Sequence, residues 1–167
     1  GKDWGLDHFG FSLAAVNCDF DRDGDIDVFV MHRDEAPILY KNNTKNPGTL
    51  VKLNGITNNR DGVGSKITIE TDKETLTRTL NIARGYLSAD ESIAHFGVTN
   101  DTKIAKLTVK WPSGQSQEFE DLVGGNLYEI TEKIQSVEPK SSTNIAKTRF
   151  TLNPSLSATR HKEVTFD

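Results

Sequence analysis

Alternation of apolar and polar residues runs through most of this chain, and it limits the fold more than any other feature of the sequence. Residues 66–71 and 106–111 alternate cleanly, and a period of two is the signature of a β-strand. The turn at 72–74 predicts a hairpin. No segment of ten or more residues shows a convincing helical period. The sequence therefore predicts an all-β fold, with strands at residues 26–31, 37–40, 50–53, 66–71, 75–82, 106–111, 116–119 and 127–130.

An acidic loop precedes the first of these strands and is the strongest indication of a ligand. Aspartate stands at loop positions 1, 3, 5, 7 and 9, with Gly24 at position 6. Two like charges about 4 Å apart repel by roughly 4 kcal/mol near a protein surface, and a hard divalent cation removes that repulsion. Ca²⁺ takes six to eight oxygen ligands in irregular geometry, and glycine permits the positive φ that wraps a chain around an ion. Against the alternative of a solvated acidic turn, the pattern predicts a Ca²⁺ site formed by Asp19, Asp21, Asp23, Asp25 and Asp27.

The residues that follow the loop distinguish this site from an EF-hand. An EF-hand loop needs a bidentate Glu at position 12 and continues into a helix. Position 12 here is Val30, and residues 26–31 are β-branched and aromatic, which favours a strand. We therefore expect a loop between strands, in which Asp25 binds through its backbone carbonyl and the other four aspartates bind through their side chains.

Composition narrows the classes of function. The 167 residues are 35% hydrophobic and 26% charged, with a formal net charge of −4. We expect no nucleic-acid partner, because such binding depends on basic patches, and no membrane span, because no apolar run approaches the roughly 18 residues required. Cys18 is the only cysteine, so no internal disulfide can form, and nearby carboxylates should raise its thiol pKa. The chain begins with Gly1 inside a patterned segment, which indicates a piece of a longer protein.

The residues around the acidic loop carry a family resemblance. The motifs are Phe-Gly-Phe-Ser at 9–12, the run at 14–30 that contains the aspartates, and Leu-Tyr-Lys-Asn-Asn at 39–43. Together they resemble an FG-GAP (VCBS-type) repeat over about residues 5–43. Such repeats are blades of integrin-like β-propellers. The resemblance therefore implies a partial β-propeller-type repeat, with Ca²⁺ in a loop between two strands and with adjacent blades of the parent chain as partners.

A second resemblance covers about residues 50–130. Its four motifs, in order, are Asn-Arg-Asp-Gly-Val-Gly-Ser-Lys at 59–66, Arg-Gly-Tyr-Leu-Ser at 84–88, His-Phe-Gly-Val at 95–98 and Val-Lys-Trp-Pro-Ser-Gly at 109–114. They are similar to the ASPIC/UnbV domain, which follows FG-GAP repeats in extracellular proteins of the cartilage-acidic-protein type. The resemblance implies a β-rich fold without established catalysis, located outside the cell or at its surface, or in the periplasm or outer membrane of a bacterium.

The two resemblances divide the chain into three predicted parts. These are an FG-GAP/VCBS-type calcium-binding repeat at 1–43, an ASPIC/UnbV-like domain with a small β-sandwich or barrel-like form at 44–135, and a linker with the start of a following module at 136–167. The function that this organisation implies is a non-enzymatic extracellular calcium-binding module for interaction or adhesion. Its partner would be a protein or glycan ligand at the cell surface.

One alternative is a carbohydrate-binding accessory module of a larger surface protein. Sugars stack on aromatic rings, and aromatic residues and arginine are favoured in binding surfaces. The candidate patch consists of Arg60, Arg84, Tyr86 and Trp111. The competing interpretation is that Tyr86 and Trp111 pack in the core of a small sandwich.

A second alternative is a hydrolase. Ser88, His95 and Asp90 supply the residue types of a catalytic triad. However, the sequence contains no Gly-x-Ser-x-Gly elbow to present a nucleophile. We therefore expect the chain not to be an enzyme.

Overall fold

The computed structural model describes residues 5–45 and 47–133, and these residues form twelve strands and no helix. The prediction of an all-β fold is confirmed. The predicted linker and following module at 136–167 lie outside the described residues. The strands are β1 (Ser12–Cys18), β2 (Asp27–His32), β3 (Ile38–Tyr40), β4 (Thr49–Asn54), β5 (Lys66–Thr71), β6 (Thr75–Thr79), β7 (Ala83–Arg84), β8 (Ser88–Ala89), β9 (Ile93–Phe96), β10 (Lys103–Lys110), β11 (Ser116–Val123) and β12 (Leu127–Thr131).

The first sheet is an antiparallel meander in the order β1-β2-β3, and it carries the acidic loop. Cys18 pairs with Asp27 and Val16 pairs with Phe29, so the loop joins the ends of two hydrogen-bonded strands. The predicted strands at 26–31 and 37–40 correspond to β2 and β3. The alternation does not predict β1, because Leu-Ala-Ala-Val is an unbroken run of apolar residues.

The larger part of the fold is a two-layer sandwich that encloses the hydrophobic core. One layer is the antiparallel sheet β11-β10-β5-β6, and the other is the three-stranded sheet β12-β4-β9. β5 and β6 form the hairpin that the turn at 72–74 predicts. None of the sheets closes on itself, so the domain is sandwich-like. Alternate residues of both layers supply the core, which consists of Val51, Leu53, Ile67, Ile69, Leu80, Ala94, Phe96, Val98, Ile104, Leu107, Val109, Trp111 and Ile130.

One pairing in the sandwich joins residues that are far apart in sequence. β12 lies parallel to β4, with Leu127 opposite Leu50 and Thr131 opposite Asn54. Parallel neighbours need a long crossover connection, and here β5 to β11 all lie between the two strands in the chain. The last strand of the sandwich therefore completes the sheet that its first strand begins.

All the described residues belong to one compact unit, Gly1–Gln135. A small two-stranded ribbon of β7 and β8 belongs to this unit, and β8 lies against β1. The predicted domain boundary between residues 43 and 44 stays a prediction. The part of the chain that the structure describes contains no helix of the length and hydrophobicity that a membrane crossing requires.

Candidate metal centre

The acidic loop turns back on itself through left-handed backbone. Gly24 has a φ of +94° and Arg22 has a φ of +61°, and the first of these agrees with the positive φ predicted for the glycine. Space as well as φ favours glycine here, because a Cβ atom at position 24 would lie 2.6 Å from Cβ of Pro47. The Gly24 carbonyl accepts a hydrogen bond from Gly48 N–H at 2.9 Å. The loop is therefore held against the chain that enters the sandwich.

Three of the predicted ligands converge. Asp19, Asp21 and Asp27 each offer one carboxylate oxygen, and these three oxygens lie within 4.8 Å of one another. Ca²⁺–oxygen bonds of 2.3–2.6 Å separate opposite ligands by about 5 Å, so the spacing suits a single ion. Asp27 is only 1% exposed, whereas Asp21 lies at the surface. The three residues therefore form a partly buried group of oxygen donors.

Backbone amides fix two of these carboxylates. Asp19 accepts hydrogen bonds from the N–H groups of Asp23 and Gly24, both at 3.0 Å. Asp27 accepts from Phe20 N–H at 3.1 Å and from Asn42 N–H at 2.7 Å. Each carboxylate oxygen has two lone pairs, so one hydrogen bond leaves room for a cation. The carboxylates of Asp19 and Asp27 are thus oriented by the backbone without a ligand.

The structure places the other two predicted ligands differently. Asp23 and Asp25 lie outside the group of three that could share one ion. Asp23 accepts the Asp25 N–H at 3.3 Å. The prediction that Asp25 uses only its backbone carbonyl misses a buried side chain: Asp25 is 8% exposed, and its Oδ2 accepts Thr44 N–H at 3.1 Å. Its Oδ1 is buried and has no hydrogen-bond partner among the described residues.

The pKa of the Asp25 carboxyl is raised both by its burial and by its acidic neighbours in the loop. Burial is the largest cause that raises its pKa, to about 6, and the neighbouring Asp23 and Asp27 carboxylates raise it further. A carboxylate with a raised pKa and an unpaired oxygen is one that a nearby positive charge would stabilise. The donors of the loop therefore fit the hard divalent cation that the sequence predicts.

Lys41 supplies a positive charge at the rim of the loop, and sequence reasoning missed this residue. Its ammonium group forms an ion pair with Asp21 and lies 3.8 Å from Oδ2 of Asp23. The ion pair lowers the pKa of Asp21 and raises that of Lys41. Lys41 is visible in the sequence as the lysine of the Leu-Tyr-Lys-Asn-Asn motif at 39–43. The motif does not show which carboxylate this lysine pairs with.

Two consecutive acidic residues connect the loop to the sandwich, and the sequence gives no sign of this role. Asp90 Oδ1 accepts Asn17 N–H at 2.8 Å. Glu91 Oε1 accepts Asp19 N–H at 2.9 Å and lies 2.6 Å from His95 Nε2. The backbone at the start of the acidic loop is therefore held by carboxylates from the segment between β8 and β9.

The thiol beside the loop is not activated. Burial raises the pKa of Cys18 to about 11, with further contributions from Glu91, Asp19 and Asp27. The direction agrees with the expectation from neighbouring carboxylates, but the largest cause is burial. Because only the thiolate is a strong metal ligand and nucleophile, the donor set at this site consists of oxygens.

The residues of the hydrolase alternative each have a different partner. Ser88 Oγ donates to the Arg84 carbonyl at 2.5 Å, and Asp90 pairs with the Arg84 side chain at 2.5 Å. His95 pairs with Glu91. A serine nucleophile needs a base within hydrogen-bond reach, and these contacts direct the three side chains elsewhere.

The predicted ligand patch requires a correction. Trp111 is 3% exposed and packs in the core, with its ring next to Gly62. It therefore does not belong to a surface patch. Its indole ring favours burial against the sandwich aliphatics over exposure to water. Tyr86 is 69% exposed, Arg60 is exposed, and Arg84 is paired with Asp90. Of the two aromatic residues, only Tyr86 is available to a ligand.

Fold and site together define an all-β protein in which a sandwich-like domain adjoins a sheet with an acidic, oxygen-only donor group. Residues 55–137 match the family model described as ASPIC and UnbV, and this part of the chain is an ASPIC/UnbV domain. The match includes all four motifs at 59–66, 84–88, 95–98 and 109–114. No curated protein matches the sequence at a significant level.

Proposed function

We propose that the acidic loop binds Ca²⁺ as part of an FG-GAP/VCBS-type repeat, and that the chain acts as a non-enzymatic extracellular module for interaction or adhesion. The observation that carries the proposal is the convergence of Asp19, Asp21 and Asp27 within 4.8 Å. In the same loop, the side chain of Asp25 has a buried oxygen without a hydrogen-bond partner among the described residues, which adds support. The ion's role is structural, because it neutralises a loop that connects two paired strands.

The chemistry of the donors favours Ca²⁺ among divalent cations. Carboxylate and backbone oxygens suit hard cations, and a flexible site with several carboxylates suits Ca²⁺ better than Mg²⁺, which demands near-ideal octahedral geometry. The protonated thiol of Cys18 offers nothing to softer metals. The loop is therefore suited to a cation that is abundant outside cells, which agrees with a secreted or surface location.

A calcium-dependent melting curve tests the proposal. We expect millimolar Ca²⁺ to raise the melting temperature of the wild type and a chelator to reverse the change. At a ligand concentration of 100 times Kd the stabilisation is about 2.7 kcal/mol, which corresponds to roughly 8 °C for a chain of this size. Asp21→Ala removes one converging carboxylate and should abolish the rise.

The matched control is Asp101→Ala, which removes an exposed aspartate from a turn of the sandwich. It should keep the full calcium-dependent rise. A wild type whose melting temperature is the same in calcium and in chelator, together with no heat of calcium binding, contradicts the proposal. An equal rise in wild type and Asp21→Ala places the cation elsewhere.

The carbohydrate-binding alternative now depends on Tyr86. This side chain is 69% exposed and stands beside Leu87, which is 88% exposed, on the turn between β7 and β8. An exposed tyrosine on a short ribbon is a suitable stacking surface for a sugar. The buried position of Trp111 removes the other aromatic residue from this candidate site.

A further inference from the structure

Lys41 directly follows β3, and its side chain extends to the acidic loop. Its ammonium group pairs with Asp21 and lies 3.8 Å from Asp23. Asp21 also belongs to the group of three carboxylates that could share one ion. A single aspartate therefore faces both a resident ammonium group and the position in which a divalent cation would be held.

The backbone around Lys41 keeps it in this position. On one side Tyr40 pairs with Val28 in the first sheet. On the other side Asn42 N–H donates to Asp27 at 2.7 Å, and Thr44 N–H donates to Asp25 at 3.1 Å. These hydrogen bonds attach the segment after β3 to two buried carboxylates. The main chain on both sides of Lys41 is therefore hydrogen-bonded, and this places the Lys41 side chain beside the loop.

The charge of the loop explains what the ammonium group does there. Five aspartates in nine residues repel one another, and Oδ1 of the buried Asp25 has no hydrogen-bond partner among the described residues. Lys41 partly neutralises this charge, while its own side chain remains 51% exposed and free to swing into water. A flexible, strongly hydrated ammonium on a four-carbon stem can leave such a position without rearrangement of the backbone.

We propose that Lys41 is a built-in competitor for the calcium site, holding the acidic loop together without metal and leaving Asp21 when Ca²⁺ binds. This inference rests on the proposed function, because it concerns the same loop. The consequence is a lower affinity for Ca²⁺ than the carboxylates alone would give. Lys41 would set the calcium concentration at which the loop becomes loaded.

Lys41→Met tests the inference, since methionine keeps an unbranched side chain, one atom shorter, and removes the charge. Lys45→Met is the matched control, because it makes the same change of charge four residues away at an exposed side chain. Calorimetric titration with CaCl₂ should show that Lys41→Met binds about fivefold more tightly than wild type, the size expected for release from an exposed ion pair. Lys45→Met should bind as wild type does.

A second measurement, by NMR, follows the Lys41 side chain itself. In the wild type, the ε-methylene resonance of Lys41 should shift during the CaCl₂ titration, in step with saturation of the site. Calcium binding of equal or lower affinity in Lys41→Met overturns the inference and leaves the proposed function intact. Absence of calcium binding in wild type and in Lys41→Met overturns both. Binding by Lys41→Met alone would show that Lys41 excludes Ca²⁺ from the wild type, which contradicts both the proposed function and the release of Lys41 on binding.

Discussion

At the scale of single residues, Gly62 shows how closely the main chain approaches the core. It lies in the loop between β4 and β5 with a φ of +64°. A Cβ atom there would lie 2.8 Å from Cβ of Leu53 and 3.1 Å from Cζ3 of Trp111. Both neighbours are almost fully buried and cannot move away freely. Position 62 therefore requires glycine for its conformation and for its space.

Gly62→Ala should lower the free energy of unfolding by about 2–3 kcal/mol, because backbone strain and overpacking add together. Gly114→Ala is the control. Gly114 has a φ of +88° in an open turn, with nothing within 4 Å of the added carbon, so it should lose only about 1 kcal/mol. Urea unfolding of the two variants provides the comparison. Equal losses would show that the contact with Leu53 and Trp111 is unimportant.

At the scale of secondary-structure elements, Glu132 connects the ends of three segments. It follows β12 and is 2% exposed. Its Oε2 accepts the N–H groups of Ile56 and Thr57, both at 2.8 Å, in the loop after β4. Its Oε1 accepts Ser113 Oγ–H at 2.6 Å from the turn between β10 and β11. These hydrogen bonds, with Ser113 as the largest cause, lower the pKa of Glu132.

Glu132→Gln should lower the free energy of unfolding at pH 7 by about 2 kcal/mol, since hydrogen bonds to a buried charge are lost. The folded-state pKa lies below the unfolded value of about 4.3. The charged form therefore contributes its full stability above that value, and the contribution disappears as the pH falls through the folded pKa. Urea unfolding at pH 7, 5 and 3 should show the difference between wild type and variant shrinking only at the lowest pH.

Glu129→Gln is the control for this experiment, because Glu129 is half exposed and pairs with Lys52 at the surface. It should lower the stability by about 0.5 kcal/mol at pH 7. A loss in Glu132→Gln that is just as small, or one that persists unchanged at pH 3, contradicts the role assigned to the buried carboxylate.

The strands show which elements local pattern can predict. Alternation predicts the long strands β5 and β10, and the turn residues predict the hairpin to β6. Alternation does not predict β1, whose run is uniformly apolar, or the short strands β7, β8 and β9. β7 and β8 have only two residues each, which is too few to display a period, and β9 has only four. The parallel pairing of β12 with β4 is also beyond a local pattern, because it joins segments more than seventy residues apart.

The candidate site also contains residues that the sequence predicts and residues that it does not. The five aspartates and Gly24 lie within nine residues, so their spacing reveals the loop and the turn. Lys41 and Glu91 contact the loop only through tertiary structure, and the burial of Asp25 depends on Thr44 and its neighbours. The sequence therefore predicts which residues repel one another and does not predict what the fold places against them.

At the scale of the whole molecule, hydrogen bonds join the first sheet to the sandwich. Asn17 N–H donates to Asp90, Asp19 N–H donates to Glu91, and Gly48 N–H donates to the Gly24 carbonyl. The segment that supplies the two carboxylates leads directly into β9, which pairs with the central strand β4. The acidic loop and the sandwich core are thus connected by a short series of hydrogen bonds.

Glu91→Ala should reduce hydrogen-exchange protection of the β1 and β2 amides more than that of the β5 and β10 amides, because it frees the start of the acidic loop. Glu74→Ala, an exposed change in the turn between β5 and β6, should alter neither set. Equal changes in both sets for Glu91→Ala would indicate general destabilisation. No change in β1 and β2 would show that Glu91 does not hold the first sheet.

The parallel pairing of β12 with β4 also determines the order in which the molecule can assemble during synthesis. The meander β1-β2-β3 needs only neighbouring segments, so it can form once residue 40 has left the ribosome. The sheet around β4 lacks a strand until Leu127–Thr131 emerges, and Val51 has no β12 neighbour before then. Translation at about 5–20 residues per second separates the two events by several seconds. For that interval the nascent chain has an open sheet edge at β4, which is free to pair with another strand.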